Sequence, residues 1–184
     1  PLRLASAFDL VRQTGAHITV HAGEADGVES IRQALAVGAQ RLGHGVRIAH
    51  DITVDADGTA HLGEVAREVR DRGIALEVCP TSNVQTGAVE SFGAHPLALL
   101  DDLGFVVTIN PDNRLMCGVG VQHELMLAAD LCHSRGQRAA GDGRSPEEAA
   151  AVAKWTRHAI EASFAPTAVK QRLHARIDDA VRSA

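Results

Sequence analysis

A chain of 184 residues, 45% hydrophobic and 22% charged, can bury the core of one domain and is not composed like a disordered segment. Its formal charge of −5, with no Lys or Arg block, excludes a general phosphate-binding surface, so no nucleic acid is expected as partner and a small molecule is. No apolar run approaches the roughly 20 residues that span a bilayer, so no membrane is expected either.

Helical and extended patterns alternate along the chain. Leu4, Phe8 and Val11 recur at helical spacing before Gly15, and a first strand is predicted from about His17 to His21. A helix over Val28 to Val37 is stopped by Gly38 and followed by a strand over Arg41 to Gly45. A polar hairpin-like excursion through Asp55-Ala56-Asp57-Gly58 precedes a charged helix, Leu62 to Arg72, ended by Gly73. The third strand covers Ala75 to Pro80. A loop from Thr81 to Ala94 then leads to a short helix, Pro96 to Leu103, and the fourth strand begins at Phe105. Beyond it the pattern is helical: about Val121 to Ser134, Pro146 to Ser163 and Pro166 to Val181. Gly141-Asp142-Gly143 marks a flexible linker within one domain.

The strand-to-strand repeat matches strand plus crossover helix plus loops, which predicts parallel βα units. Polar residues cluster after several different strands, which favours a barrel over an open sheet with one switch point. Four strands cannot close a barrel that needs eight. The expected fold is therefore α/β, half of a (β/α)8 TIM barrel with extra C-terminal helices, and residues 1–184 form one partial domain. Cys79, Cys117 and Cys132 are odd in number and lack a Cys-x-x-Cys pair, so neither a disulfide framework nor a cysteine zinc site is expected. That usage points to a reduced, cytoplasmic compartment, and Pro1-Leu2-Arg3-Leu4 resembles no secretory signal.

His21-Ala22-Gly23-Glu24 closes the first strand, placing an imidazole and a carboxylate where side chains can leave the core. A lone His at a strand end is commonly a hydrogen-bonded structural residue. With Glu24 three residues on, His44 after the second strand and Asp112 after the fourth, the chain also holds the residue types of a hydrolytic zinc site. Such a site uses neutral imidazole and carboxylate for the ion and a separate acid or base for protons.

Four motifs, Thr19-Val20-His21-Ala22-Gly23-Glu24, Arg41-Leu42-Gly43-His44-Gly45, Glu77-Val78-Cys79-Pro80-Thr81-Ser82-Asn83 and Asn110-Pro111-Asp112-Asn113, resemble those of the adenosine deaminase family in order and spacing. Ala162-Ser163-Phe164 extends the resemblance over nearly the whole chain. It implies a zinc-dependent amidohydrolase, using one divalent ion, that converts adenosine, and by extension deoxyadenosine, to inosine and ammonia. By position, His21 and Asp112 resemble metal ligands. Glu24 matches the acid that protonates the purine ring nitrogen beside the reacting carbon. His44 matches the residue that orients and deprotonates the attacking water or stabilises the resulting hydroxide. Asn113 stands where the family pattern has a second Asp that contacts the purine; an Asn amide always carries donors, so a substrate contact is expected to survive, against the alternative of a turn residue capping the strand end. Pro111, where Thr is frequent, removes a backbone donor.

Other residues are read as structural. Cys79 is assigned to the core, Glu64, Glu68 and Arg72 to a solvated helix face, and Thr81, Ser82 and Asn83 equally to pocket shaping or turn chemistry. His50, His61, His95, His123, His133, His158 and His174 show no ligand-like spacing.

The family's His-x-His pair on the first barrel strand, which supplies two further metal ligands, occurs nowhere in the 184 residues. The expectation is that this chain alone binds zinc poorly and turns over slowly or not at all, and that it belongs with an amino-terminal half or self-associates through exposed sheet edges. The alternatives to an adenosine deaminase are a deaminase of adenine or another aminopurine, and a non-catalytic remnant that binds a partner or purine.

Overall fold

The computed structural model describes residues 1–133 and 145–182; the Gly141-Asp142-Gly143 linker expectation and the end of the helix predicted to reach Ser134 lie outside them. Four short strands, β1 (Thr19–Ala22), β2 (Arg41–His44), β5 (Ala75–Val78) and β6 (Val107–Ile109), form one all-parallel sheet in the order β1-β2-β5-β6. Adjacent members are linked through α2 (Val28–Ala36), through the antiparallel hairpin β3 (Ile52–Val54) and β4 (Ala60–Leu62) with α3 (Glu64–Asp71), and through α4 (Pro80–Gln85) with α5 (Leu97–Asp102). The parallel half-barrel expectation is met in strand number, order and direction. The helix before the sheet is α1 (Ala5–Gln13).

Register explains the two faces. Val20, Leu42, Leu76 and Val107 lie side by side, as do His21, Gly43, Glu77 and Thr108. Because side chains alternate along each strand, the first row faces the helix layer and the second faces the opposite side. Helices bury matching stripes: Ile31, Ala34 and Leu35 of α2, Val65, Ala66 and Val69 of α3, Leu97, Ala98 and Leu100 of α5. By contrast, α1 buries no residue: of the residues at helical spacing, Leu4 is more than half exposed and Phe8 and Val11 are only half-buried.

Several predicted boundaries move. The third strand stops at Val78, because Pro80, with its preset φ and no N–H, opens α4 inside what was expected to be a loop. Leu62 pairs with Ile52 in the hairpin, so α3 starts only after Gly63. A short helix, α6 (Arg114–Cys117), follows the fourth strand where none was predicted. The C-terminal helices are α7 (Val121–His133), α8 (Pro146–Ala162) and α9 (Thr167–Arg182). Ser145 and Glu148 close α8 with reciprocal capping hydrogen bonds.

The two sheet edges differ. β1 has no neighbour on its outer side among the described residues, and Thr19 and His21 are exposed. β6 is covered: all three of its residues are buried, and His158 of α8 donates from Nδ1 to the Val107 carbonyl at 3.0 Å. Trp155, on the same helix, is 1% exposed and donates to Asp101 of α5 at 3.0 Å. Both edge strands thus lack a strand on their outer side among the described residues, as expected, but β6 is packed against α8, whose His158 caps one of its carbonyls. Phe164, just past α8, stacks on His17 at 4.1 Å and lies under the Arg41 guanidinium, tying the Ala162-Ser163-Phe164 motif to the starts of β1 and β2. Among the described residues no helix is long and apolar enough to cross a membrane.

Candidate active site

Polar side chains collect at the carboxyl ends of β1, β2, β5 and β6, where parallel strands hand over to loops. His21 projects from the polar face of β1 with its side chain 72% exposed. It needs Gly43 beside it, since a Cβ there would come within 2.8 Å of its ring. Its ring meets that of His44 edge-on at 4.9 Å. Glu24 sits one turn past β1. Its Oε2 lies 3.3 Å from His44 Nε2 and 3.8 Å from His21 Nδ1. Gly23, at φ +66°, makes this turn, and a side chain there would collide with Ile31. Arg47 ties the same turn down by donating to the Ala25 carbonyl at 2.7 Å and to that of Gly87 at 3.1 Å.

His44 and Asp112 are the two non-glycine residues with positive φ among those described, at 61° and 55°. Such backbone costs of order 1 kcal/mol and is often found at functional sites. It points both side chains away from the ordinary strand alternation. His44 is 2% exposed, and burial holds its imidazole below the ordinary histidine value while the Glu24 carboxylate pulls the other way. It is therefore neutral at pH 7. Asp112 receives the Ser82 hydroxyl on Oδ2 at 2.5 Å, which fixes the carboxylate and leaves Oδ1 for a ligand.

Donor atoms within 4.8 Å of one another form two groups that share His44: His21 with Glu24, and Cys79 with Asp112. The structure thus brings His21, Glu24, His44 and Asp112 to one strand-end cluster, with His21 approaching from the β1 side and Asp112 from the β6 side. Cys79 is in this cluster, not merely in the core. Burial, with the Asp112 carboxylate nearby, pushes its thiol well up, so it stays protonated and cannot act as a nucleophile at neutral pH. Asn113 caps α6, its Oδ1 accepting from Leu115 and Met116 amides, each at 3.1 Å. The cap uses Oδ1 alone, so the Nδ2 donors stay available for a second partner.

The turn after β5 does more than shape a pocket. Ser82 holds Asp112, Asn83 contacts His44 Nδ1 at 3.0 Å, and Thr81 donates through its amide, at 2.9 Å, and its hydroxyl to Glu124. Glu124, wholly buried on α7, was not singled out from sequence; the signal was a charged residue in line with Ala128 on the buried stripe of that helix. His95, which has no ligand-like spacing, is nonetheless buried beside Asn83.

Imidazole and carboxylate donors, with a protonated thiol held out, are a chemically suitable set for a divalent ion such as zinc. A family model described as adenosine deaminase matches residues 2–180. An adenosine deaminase of Mycobacteroides abscessus is 51% identical over 127 residues, 68% of this chain and 35% of that protein. One from Mycobacterium tuberculosis is 45% identical over 183 residues, 99% of this chain and 46% of that protein. The chain therefore spans about half the length, or less, of these curated relatives. A crystal structure of adenine deaminase from Arthrobacter aurescens superposes with TM-score 0.77 at 25% identity, over 97% of this chain and 47% of that one. An amidohydrolase from Burkholderia ambifaria with bound zinc shares the fold at TM-score 0.74 and 17% identity, over 100% of this chain and 47% of that one.

Proposed function

The chain belongs to the adenosine deaminase family, and from that membership we propose that the complete protein hydrolyses adenosine and deoxyadenosine to inosine, or deoxyinosine, and ammonia. The observation that carries the reading is the arrangement around His44: Glu24 Oε2 at 3.3 Å, with donor atoms of His21 and of Asp112 each within 4.8 Å of a His44 nitrogen. His21 and Asp112 would hold a zinc ion, which when bound supplies Lewis-acid polarisation and a water of lowered pKa.

The chain's own residues do the rest. Ser82 restrains Asp112 so that one carboxylate oxygen is presented in a fixed direction. Glu24, 21% exposed, reaches the open side of the cluster and is the group that delivers a proton to the purine ring nitrogen next to the reacting carbon. His44, neutral and buried, orients the attacking oxygen beside Glu24. Asn113 offers its Nδ2 donors to an unprotonated nitrogen of the five-membered ring. Residues 1–184 contribute one part of a single barrel domain, and the rest of the protein supplies the remaining metal ligands. Free cysteines at 79, 117 and 132 support a reducing compartment such as the cytoplasm.

The test is a deamination assay of the complete, zinc-loaded protein against adenosine, deoxyadenosine and adenine, following ammonia release. Turnover of the two nucleosides well above adenine is the expected result. Preference for adenine would replace this substrate with the one named for the Arthrobacter relative.

A further inference from the structure

Asn83 is fully buried on the first turn of α4, and the direction of each of its hydrogen bonds follows from its neighbours. The Cys79 amide can only donate, and it meets Asn83 Oδ1 at 3.2 Å. The Leu97 amide also can only donate. It meets His95 Nδ1 at 3.1 Å, so a neutral His95 carries its proton on Nε2, which lies 3.4 Å from the same Asn83 Oδ1. Two donors converging on Oδ1 orient the amide, and Nδ2 is left facing His44 Nδ1 at 3.0 Å as a donor. A neutral imidazole that accepts at Nδ1 holds its proton on Nε2. That nitrogen is the one beside Glu24 Oε2.

We propose that Asn83 is a positioning residue that sets the tautomer of His44, so that Nε2 presents an N–H and not a lone pair to Glu24 and to the reacting oxygen. The inference rests on His44 belonging to the deaminase site described above. Its consequence is chemical. An Nε2 that already carries the proton orients and stabilises an oxygen nucleophile by donating to it, and cannot take that nucleophile's proton while Asn83 blocks relocation of its own to Nδ1; that proton passes instead to the ionised Glu24 carboxylate, which then delivers it to the purine ring nitrogen. The opposite tautomer would turn the Nε2 lone pair towards the Glu24 carboxylate, acceptor against acceptor.

The experiment is histidine 15N–1H correlation spectroscopy on the complete protein, wild type and Asn83→Asp, alongside steady-state deamination of adenosine. In the wild type, His44 should show a protonated Nε2 and a bare Nδ1. An aspartate at 83 still accepts from Cys79 but has no donor for His44, so the ring should move its proton to Nδ1. With that switch, kcat should fall about 10–100-fold and KM change less. A merely structural Asn83 would lose stability without switching the ring. If Asn83→Asp does not fold, the wild-type spectrum still decides, because a proton on Nδ1 there overturns the proposal. A folded Asn83→Asp in which Nδ1 of His44 stays bare, or that keeps full kcat, overturns it as well. Were the wild type to show the expected tautomer and switch but not deaminate adenosine, the functional reading would fail and the positioning role would stand.

Discussion

At residue 112 a single side chain must be aimed by backbone that a non-glycine residue adopts at a cost. Asp112→Ala and Asp112→Gly remove the same carboxylate and the same Ser82 hydrogen bond, but only Gly adopts φ 55° freely. The Gly variant should therefore be about 1 kcal/mol more stable than the Ala variant in denaturant unfolding, while both lose deamination. Equal stability would show that the left-handed backbone costs nothing. Ser82→Ala leaves the ligand chemistry of Asp112 intact but frees it to rotate, so zinc affinity measured by chelator competition should drop about 10–100-fold. His95 gives a pH signature. Burial pushes it down to about 4 from an ordinary 6.5, so the fold resists a proton that the unfolded chain accepts. Its contribution is complete above pH 6.5, is lost progressively as pH falls toward 4, and changes no further below that. The gap is worth about 3 kcal/mol at most, and His95→Gln should flatten the pH dependence of unfolding free energy across that window.

Element by element, the sheet was legible and the turns that aim its ligands were not. Thr19–Ala22, Arg41–His44, Ala75–Val78 and Val107–Ile109 lie within or one residue beyond the predicted strands, because short extended runs set off from the helices by Gly, β-branched in the first and fourth, read clearly without tertiary information. His21, Glu24, His44 and Asp112 were legible for the same reason, being the polar residues just where those runs end. Helix α4 was hidden because Pro80, Thr81, Ser82 and Asn83 all favour turns as well. What secures it is a contact 43 residues away in sequence, Thr81 on Glu124 of α7. Local patterning cannot reveal that the Glu is turned inward. Glu124→Ala should therefore leave two buried donors of Thr81 unpaired and destabilise the protein by about 2–3 kcal/mol, with Glu124→Gln closer to wild type, in thermal or urea unfolding. Helix α8 is tested separately. Trp155→Ala empties the buried site that α8 fills beside Asp101 of α5 and should cost about 3–5 kcal/mol.

For the molecule as a whole, the decisive asymmetry is between its two edges. At β6 the helix α8 satisfies a strand carbonyl and packs on the strand, whereas among the described residues β1 leaves its outer side, with the exposed His21, without a strand beside it. The open edge carries one proposed metal ligand, His21, and the covered edge leads to the other, Asp112. Catalytic zinc usually takes three protein ligands, and His21 with Asp112 makes two. Loss of a single hydrogen-bonding support for a ligand already weakens metal binding about 10–100-fold, so lacking a whole ligand should weaken it at least as much. The 184-residue chain produced alone should therefore bind zinc at least that much more weakly than the complete protein in chelator competition, and should show negligible adenosine turnover. It should also associate with itself as its concentration rises in sedimentation analysis, through the open β1 edge. Thr19→Lys, which puts a charge on that edge, should suppress the association without restoring metal binding, since blocking a strand edge adds no imidazole. Full zinc affinity and turnover from the 184 residues alone would instead mean that Glu24, His44 or Cys79 completes the ligand set, and the division of labour proposed for this site would have to be redrawn.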